Sequence, residues 1–114
     1  MIIVYVIEAH PMGDPSPYSG EEWPESFSKD ADGNPVRQPD TYAERVALAR
    51  QTAADEKITV PLLVDGMDNA VWCSYGPAPN IAYLIDRDGT IVTRQDWYVP
   101  SAMADAVAGL LDGS

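Results

Sequence analysis

The stretch GPAPNIAYLIDRDGTIV, residues 76–92, contains the signals that decide the fold. Residues 81–85 are apolar at every position, which is typical of a strand covered on both of its faces. Asp88 and Gly89 predict a tight turn directly afterwards, because glycine reaches positive φ without a Cβ clash. The half-polar residues 90–95 are then expected to return as an edge strand. The sequence therefore predicts a β-hairpin at this place.

Two more short apolar runs, residues 2–7 and 60–64, are predicted to form buried strands. Pro77 and Pro79 stand directly before the hairpin, where each removes a backbone donor and fixes φ. The predicted order is strand, long loop, helix, strand, short helix, hairpin and helix. This order indicates one α/β domain over residues 1–114.

Helix signals occupy the remaining segments. Thr41 and Glu44 have the spacing of a capping box, which predicts a helix from there to about residue 55. Asp68 is placed to cap a short helix that ends near Gly76, and a last helix is expected over residues 101–111. The first and last helices each have an apolar face that is expected to be buried. These faces comprise Tyr42, Val46, Ala49 and Ala53 in the first helix and Met103, Val107 and Leu110 in the last.

A long irregular loop is expected over residues 11–39, which are rich in acids and hold six of the ten prolines. Its three aromatic residues, Tyr18, Trp23 and Phe27, indicate that part of it packs against the domain. Residues 30–34, DADGN, have some likeness to a calcium loop, but proline and threonine stand where that loop needs glycine and glutamate. An Asx-rich turn is the better prediction for this segment.

The composition excludes several classes of function. Acidic residues outnumber basic ones 18 to 7, and a net charge of −11 disfavours nucleic acid and anionic membrane surfaces as partners. No apolar run approaches a membrane span, and the N-terminus lacks the features of a signal peptide, so a cytoplasmic protein is expected. One cysteine and one histidine give neither an internal disulfide nor a zinc site of the usual type. No metal and no cofactor is therefore predicted.

Three motifs, taken together, resemble the iodothyronine deiodinase family, and bacterial deiodinase-like proteins in particular. VYVIEAHP at residues 4–11 resembles the strand-ending YxxEAH of that family. TYAER at residues 41–45, with the alanine-rich stretch behind it, is similar to its next helix. PLLVDGMDN at residues 61–69 is close to its apolar strand followed by Asp-x-Met-x-Asn. The resemblance covers nearly the whole chain apart from the long loop.

The resemblance implies a thioredoxin-like, three-layer α/β/α fold with a mixed sheet, and a site formed by Tyr5, Glu8, His10 and Pro79. In that family a cysteine or selenocysteine attacks or reduces the substrate. An imidazole beside it can exchange protons near neutral pH, and an adjacent carboxylate can orient that imidazole. Pro79 takes the position of the cis-proline of the fold, so the Ala78–Pro79 bond is expected to be cis. The alternative for His10 is that it only satisfies a strand-end carbonyl.

The sequence also departs from the family. The catalytic residue of the family lies upstream of YxxEAH, where this chain has no counterpart, so we expect an N-terminally truncated member. The strand that would lie between residues 2–7 and 81–85 is then absent, and direct pairing of those two strands is the first expectation. Pro39 replaces a histidine of vertebrate deiodinases, and Asn80 and Ile81 replace an acid–base pair, which weakens the case for thyroid-hormone recognition. Cys73, the only thiol, is expected to be buried and structural.

Two functions follow as hypotheses. The first is a domain of a thiol or selenol oxidoreductase family whose chain is inactive alone, with a small molecule or a thiol reductant as partner. The second is a non-catalytic thioredoxin-fold module that binds or scaffolds a partner. The open strand edges would also allow a homodimer.

Overall fold

The computed structural model of the chain describes residues 1–22, 29–30, 32–76 and 80–113. In chain order the elements are β1 (Ile3–Tyr5), α1 (Tyr42–Asp55), β2 (Leu62–Val64), α2 (Ala70–Tyr75), β3 (Ala82–Ile85), β4 (Ile91–Gln95) and α3 (Pro100–Asp112). They fall in two compact units, Met1–Pro77 and Ala78–Ser114. The order and the mixed α/β class agree with those predicted from the sequence.

The first unit consists of β1, α1 and β2, followed along the chain by α2. β1 and β2 are parallel, and Ile3 pairs with Leu62 and Tyr5 with Val64. The ladder is bounded by two hydrogen bonds, one of 3.0 Å from the Ile3 N–H to the Pro61 carbonyl and one of 2.8 Å from the Asp65 N–H to the Tyr5 carbonyl. Both strands are shorter than the apolar runs that predicted them, residues 2–7 and 60–64.

α1 begins with the predicted Thr41 cap, whose hydroxyl accepts the Glu44 N–H at 3.2 Å. The reciprocal bond of a capping box is displaced by one residue, because the Glu44 carboxylate accepts the Asp40 N–H at 2.9 Å instead of the Thr41 N–H. Ala49 is buried as expected. Tyr42, however, is 51% exposed, and Arg45 is buried in its place. The prediction for Tyr42 is wrong because the guanidinium of Arg45 reaches carbonyl groups beyond β2 and turns that side of the helix inward.

The second unit is the predicted hairpin with α3. β3 and β4 are antiparallel, Ala82 opposite Gln95, with a bulge near the turn. In that turn the Asp86 carboxylate accepts the Asp88 and Thr90 N–H groups at 2.9 and 3.0 Å. Gly89 has a φ of +84°, which is the conformation for which glycine was predicted there.

α3 packs on β3 and begins at a proline, which suits the first turn of a helix. Met103, Val107 and Leu110, the predicted apolar face, are each partly buried. Ile85 at the end of β3 remains 47% exposed. The expectation that this strand is covered on both faces along its whole length is therefore wrong.

The strands form two separate two-stranded sheets, β1-β2 and β3-β4. The single mixed sheet expected from the sequence is thus not formed by the described residues, and direct pairing of residues 2–7 with residues 81–85 is not among their strand pairs. Those residues also contain no further strand that could stand between the two. Each unit completes its own hydrogen-bonded ladder with the strand that follows in its own sequence.

The described part of the 11–39 loop is irregular, as predicted, apart from one bridge between Lys29 and Pro35. Inside that bridge the Asp30 carboxylate accepts the Asp32 and Asn34 N–H groups, each at 2.9 Å. This geometry confirms the Asx-rich turn. Trp23 and Phe27 lie outside the described residues.

Candidate functional site

The site predicted from the sequence lies at the carboxyl end of the parallel pair β1-β2. Tyr5 is the last residue of β1, and Glu8 and His10 follow it closely. Asp65 follows β2, and its N–H bonds the Tyr5 carbonyl at 2.8 Å. Open α/β sheets bind their ligands at the carboxyl ends of the strands, so this edge is the one where a site is expected.

Glu8 is 8% exposed, and its backbone is held by the side chain of Gln38. The Glu8 N–H donates to the Gln38 Oε1, and the Gln38 Nε2 donates to the Glu8 carbonyl, both at 3.0 Å. A primary amide offers one acceptor and two donors, so it satisfies both backbone groups of one residue as a neighbouring strand would. Gln38 therefore fixes the chain that leaves β1, and no spacing or motif in the sequence marks it for this role.

Asp65 acts as the cap of α2. Its carboxylate is 2% exposed and accepts the Val71 and Trp72 N–H groups, each at 3.0 Å. A carboxylate in this position satisfies N–H groups of the first turn and complements the positive end of the helix. Asp68, the residue predicted as the cap, bonds only the Ala70 N–H, at 3.2 Å. Two aspartates therefore cap α2, and Asp65 accepts two of the backbone N–H groups whereas Asp68 accepts one.

Arg45 holds the turn between β2 and α2 from the side of α1. Its side chain is buried, and its Nη1 donates to the Gly66 carbonyl at 2.7 Å and to the Asp65 carbonyl at 3.2 Å. Within the part of the chain that the structure describes, no carboxylate lies within ion-pair distance of it. A buried guanidinium is costly unless its donors are used, so these two carbonyl bonds are what stabilise it here.

Tyr18 brings the long loop down to α2. The Trp72 Nε1–H donates to the Tyr18 hydroxyl at 2.7 Å, and the two rings meet edge to face with centroids 5.6 Å apart. Burial raises the pKa of Tyr18; the hydrogen bond from Trp72 acts against this rise, and the charge of Glu8 adds to it. The phenol is therefore neutral at physiological pH. The prediction that part of the loop packs down is confirmed at this residue.

The remaining predicted site residues stand as follows. The Tyr5 hydroxyl is buried and forms no hydrogen bond with the described residues. His10 is partly buried and directly precedes the buried Pro11. The structure thus brings Tyr5, Glu8 and His10 to one strand end. Pro79, with its expected cis bond, lies outside the described residues.

Cys73 is exposed on α2, so the prediction of a buried structural cysteine is wrong. The reason is helical geometry. Trp72 turns toward Tyr18, and the next residue of a helix points about 100° away, which directs Cys73 to solvent.

Two kinds of feature, a cluster of metal-ligating side chains and a membrane-spanning helix, are absent from residues 1–22, 29–30, 32–76 and 80–113. These residues contain no group of three or more His, Cys, Asp or Glu side chains arranged to hold a metal ion. They also contain no helix whose length and apolar character would let it cross a membrane. In comparisons with known proteins, no family model, no curated protein and no solved structure matches this chain.

Proposed function

We propose that this chain is a thioredoxin-like, deiodinase-like domain of a redox family, in which Tyr5, Glu8 and His10 form the proton-handling part of a thiol or selenol site. The observation that supports this proposal best is the carboxylate-bearing residue Glu8. It is almost fully buried at the carboxyl end of β1, and a side chain from far along the sequence fixes its backbone. Burial to this extent is unusual for a glutamate, and buried carboxylates are frequent in catalytic and binding sites.

The chemistry divides among these residues by their ordinary properties. His10 can exchange a proton near neutral pH, and Glu8 can accept a hydrogen bond or orient the imidazole. Tyr18 adds a neutral phenol that sequence reasoning did not assign to the site. The cysteine or selenocysteine that such a site serves has no counterpart at the matching position of this sequence, and Cys73 lies on α2 instead.

The first test is the genomic sequence ahead of the Met1 codon. An in-frame cysteine or selenocysteine codon followed by proline supports the redox proposal. A stop codon in that place contradicts the redox proposal and favours the second candidate function, a non-catalytic binding module.

The second test measures activity in the reading frame that contains such a codon. Reduction of a hydroperoxide and of an iodinated phenol is followed with dithiothreitol as the electron donor. Loss of a positioned general acid–base typically lowers the rate by about 10²- to 10⁴-fold, so His10→Gln should lower kcat/KM by that factor. Glu8→Gln should also lower it, whereas Glu21→Gln in the exposed loop serves as the matched control. Equal kcat/KM in all four proteins would contradict the assignment.

The second candidate is a non-catalytic module that binds or scaffolds a partner. It is favoured by large apolar side chains on one side of the first unit, where Tyr42 and Leu63 are both about half exposed. Exposed apolar patches often mark interaction surfaces. Activity that depends on His10 in the second test would decide against this candidate.

A further inference from the structure

Within the part of the chain that the structure describes, one edge of β2 has no partner strand. Its Pro61 carbonyl and the Asp65 N–H both bond β1, and the backbone groups of successive strand residues point to opposite sides. The N–H and C=O groups of Leu62 and Val64 therefore point away from β1. The described residues form no hydrogen bond with any of these four groups. An edge of this kind can accept a further strand.

A groove of about 400 Å³ runs between that edge and α1. It is lined by Tyr42, Val46, Ala49, Arg50, Ala53, Leu62, Leu63 and Val64. All but one of these residues are apolar or aromatic. The lining of the groove thus suits apolar side chains, and a chain laid beside β2 could accept the outward backbone groups of Leu62 and Val64 as hydrogen-bond partners.

The charged side chain that lines the groove is positive. It is Arg50, and none of the acidic residues that the structure describes is among the lining residues. Charges beyond about 8 Å are largely screened at physiological ionic strength, whereas Arg50 acts on a ligand in the groove from close range. This local charge is complementary to a carboxylate.

The direction of α1 decides which end of the groove is positive. Arg45, near the start of α1, bonds carbonyls just beyond the end of β2, while the end of α1 leads by a short connection into its beginning. α1 is therefore antiparallel to β2, and Arg50 in its second half lies toward Leu62. A strand added antiparallel to β2 ends beside Leu62, so its carboxyl terminus approaches Arg50.

We propose that the α1–β2 groove binds the carboxyl-terminal end of an extended apolar peptide, which adds to β2 as an antiparallel strand. The backbone of Leu62 and Val64 supplies the hydrogen bonds, and Arg50 pairs with the terminal carboxylate. Strand addition beside a helix is a general mode of peptide recognition, with backbone bonds for affinity and pockets for alternate side chains. This surface is built from other residues than the Tyr5–Glu8–His10 site, so it does not depend on the proposed redox function.

The test is an NMR titration of the isotope-labelled chain with acetyl-Ala-Val-Ala-Val and with its carboxyl-amidated twin. The acid should shift the amide signals of Leu62 and Val64 most strongly and protect both from exchange. Because an exposed ion pair contributes modestly, the amidated peptide should bind about threefold more weakly. Arg50→Gln should remove that difference, and Arg87→Gln, on the hairpin turn, should leave it.

Leu62→Pro removes one outward N–H without removing a bond to β1, and it should abolish binding of both peptides. Four results would overturn the proposal. They are an absence of shifts at millimolar peptide, shifts confined to other residues, equal binding of acid and amide to the unmodified chain, and β2 shifts that depend on protein concentration alone. The last of these would identify a second copy of the chain as the occupant.

Discussion

The two units differ in how far apart along the sequence their contacting residues lie. In the first unit the defining contacts join residues far apart: Glu8 with Gln38, Tyr18 with Trp72 and Arg45 with Gly66. In the second unit the side-chain hydrogen bonds of the Asp86 turn, and those between Gln95 and Val99, join residues no more than four positions apart. The first unit buries charged side chains, whereas none of residues 80–113 is fully buried. A single substitution should therefore disturb several elements in the first unit and only one in the second.

The largest effect is expected at Arg45. Arg45→Ala leaves the buried Asp65 carbonyl and the partly buried Gly66 carbonyl without their charged donor, and hydrogen bonds to charged groups contribute about 1.5–3 kcal/mol each. The free energy of unfolding should fall by about 3 kcal/mol, measured by urea denaturation. Arg50→Ala, on the exposed side of the same helix, is the control and should change it by less than about 0.5 kcal/mol. Equal effects of the two variants would remove the contrast between the units.

A second effect is expected at Tyr18. Tyr18→Phe removes the acceptor of the Trp72 indole N–H and should lower the free energy of unfolding by about 1 kcal/mol. The indole N–H resonance of Trp72 should shift in the same variant. If the resonance is unchanged, the loop is not held at this point.

The pH dependence of stability provides an independent measurement at the same residue. The pKa of Tyr18 is raised in the folded state, so the folded protein keeps this proton more tightly than the unfolded chain does. The associated stability is fully present below pH 10 and is lost as the pH rises from there through the folded pKa. Tyr18→Phe should therefore have a smaller alkaline loss of stability than the unmodified chain. A steeper loss in the variant would contradict the direction of the shift.

In the second unit two glycines should respond with opposite signs. Gly89 has positive φ, so Gly89→Ala should destabilise the hairpin by about 1 kcal/mol. Gly109 lies inside α3 with open space around its Cβ position, so Gly109→Ala should stabilise the protein by about 0.5–1 kcal/mol. Thermal denaturation measures both. Effects of the same sign would show that the local conformation does not govern this unit.

The smallest effect is expected at Cys73. Its exposed thiol should react with Ellman's reagent in the native protein, and Cys73→Ser should change the free energy of unfolding by less than about 0.5 kcal/mol. A dithiol–disulfide exchange cycle needs a resolving thiol, so reduction of insulin by this chain should be absent. Insulin reduction that is lost in Cys73→Ser would contradict this expectation.

The same difference in sequence distance explains what could be predicted. The Thr41 cap of α1 and the turn at Gly89 depend on residues within a few positions of one another, and both were predicted. Arg45 and Gln38 could not be predicted, because their partners lie 21 and 30 residues away and their roles exist only after the chain has folded back. Nothing in the helical pattern distinguishes Arg45 from the exposed Arg50.

Strand pairing and exposure show the same limit. Three apolar runs and the half-polar return segment after Gly89 predicted the four strands correctly. Apolar character alone does not state which strands pair, however, so a single sheet was expected where two are found. At Cys73 the average tendency of the residue type favoured burial, whereas the direction of the neighbouring Trp72 decided its exposure. The site residues Tyr5, Glu8 and His10 came from the motif, and Tyr18 could be anticipated only as an aromatic residue in a loop.

The two hydrogen bonds between the Gln38 side-chain amide and the Glu8 backbone limit which substitutions and chemical modifications position 38 can accept. Conversion of Gln38 to glutamate, by mutation or by slow deamidation, would keep an acceptor for the Glu8 N–H but would replace the donor with a second acceptor. The Glu8 carbonyl would then face a carboxylate oxygen. The chain already carries 18 acidic residues, but a further one at position 38 would separate the segment after β1 from the segment before α1, which Gln38 now joins.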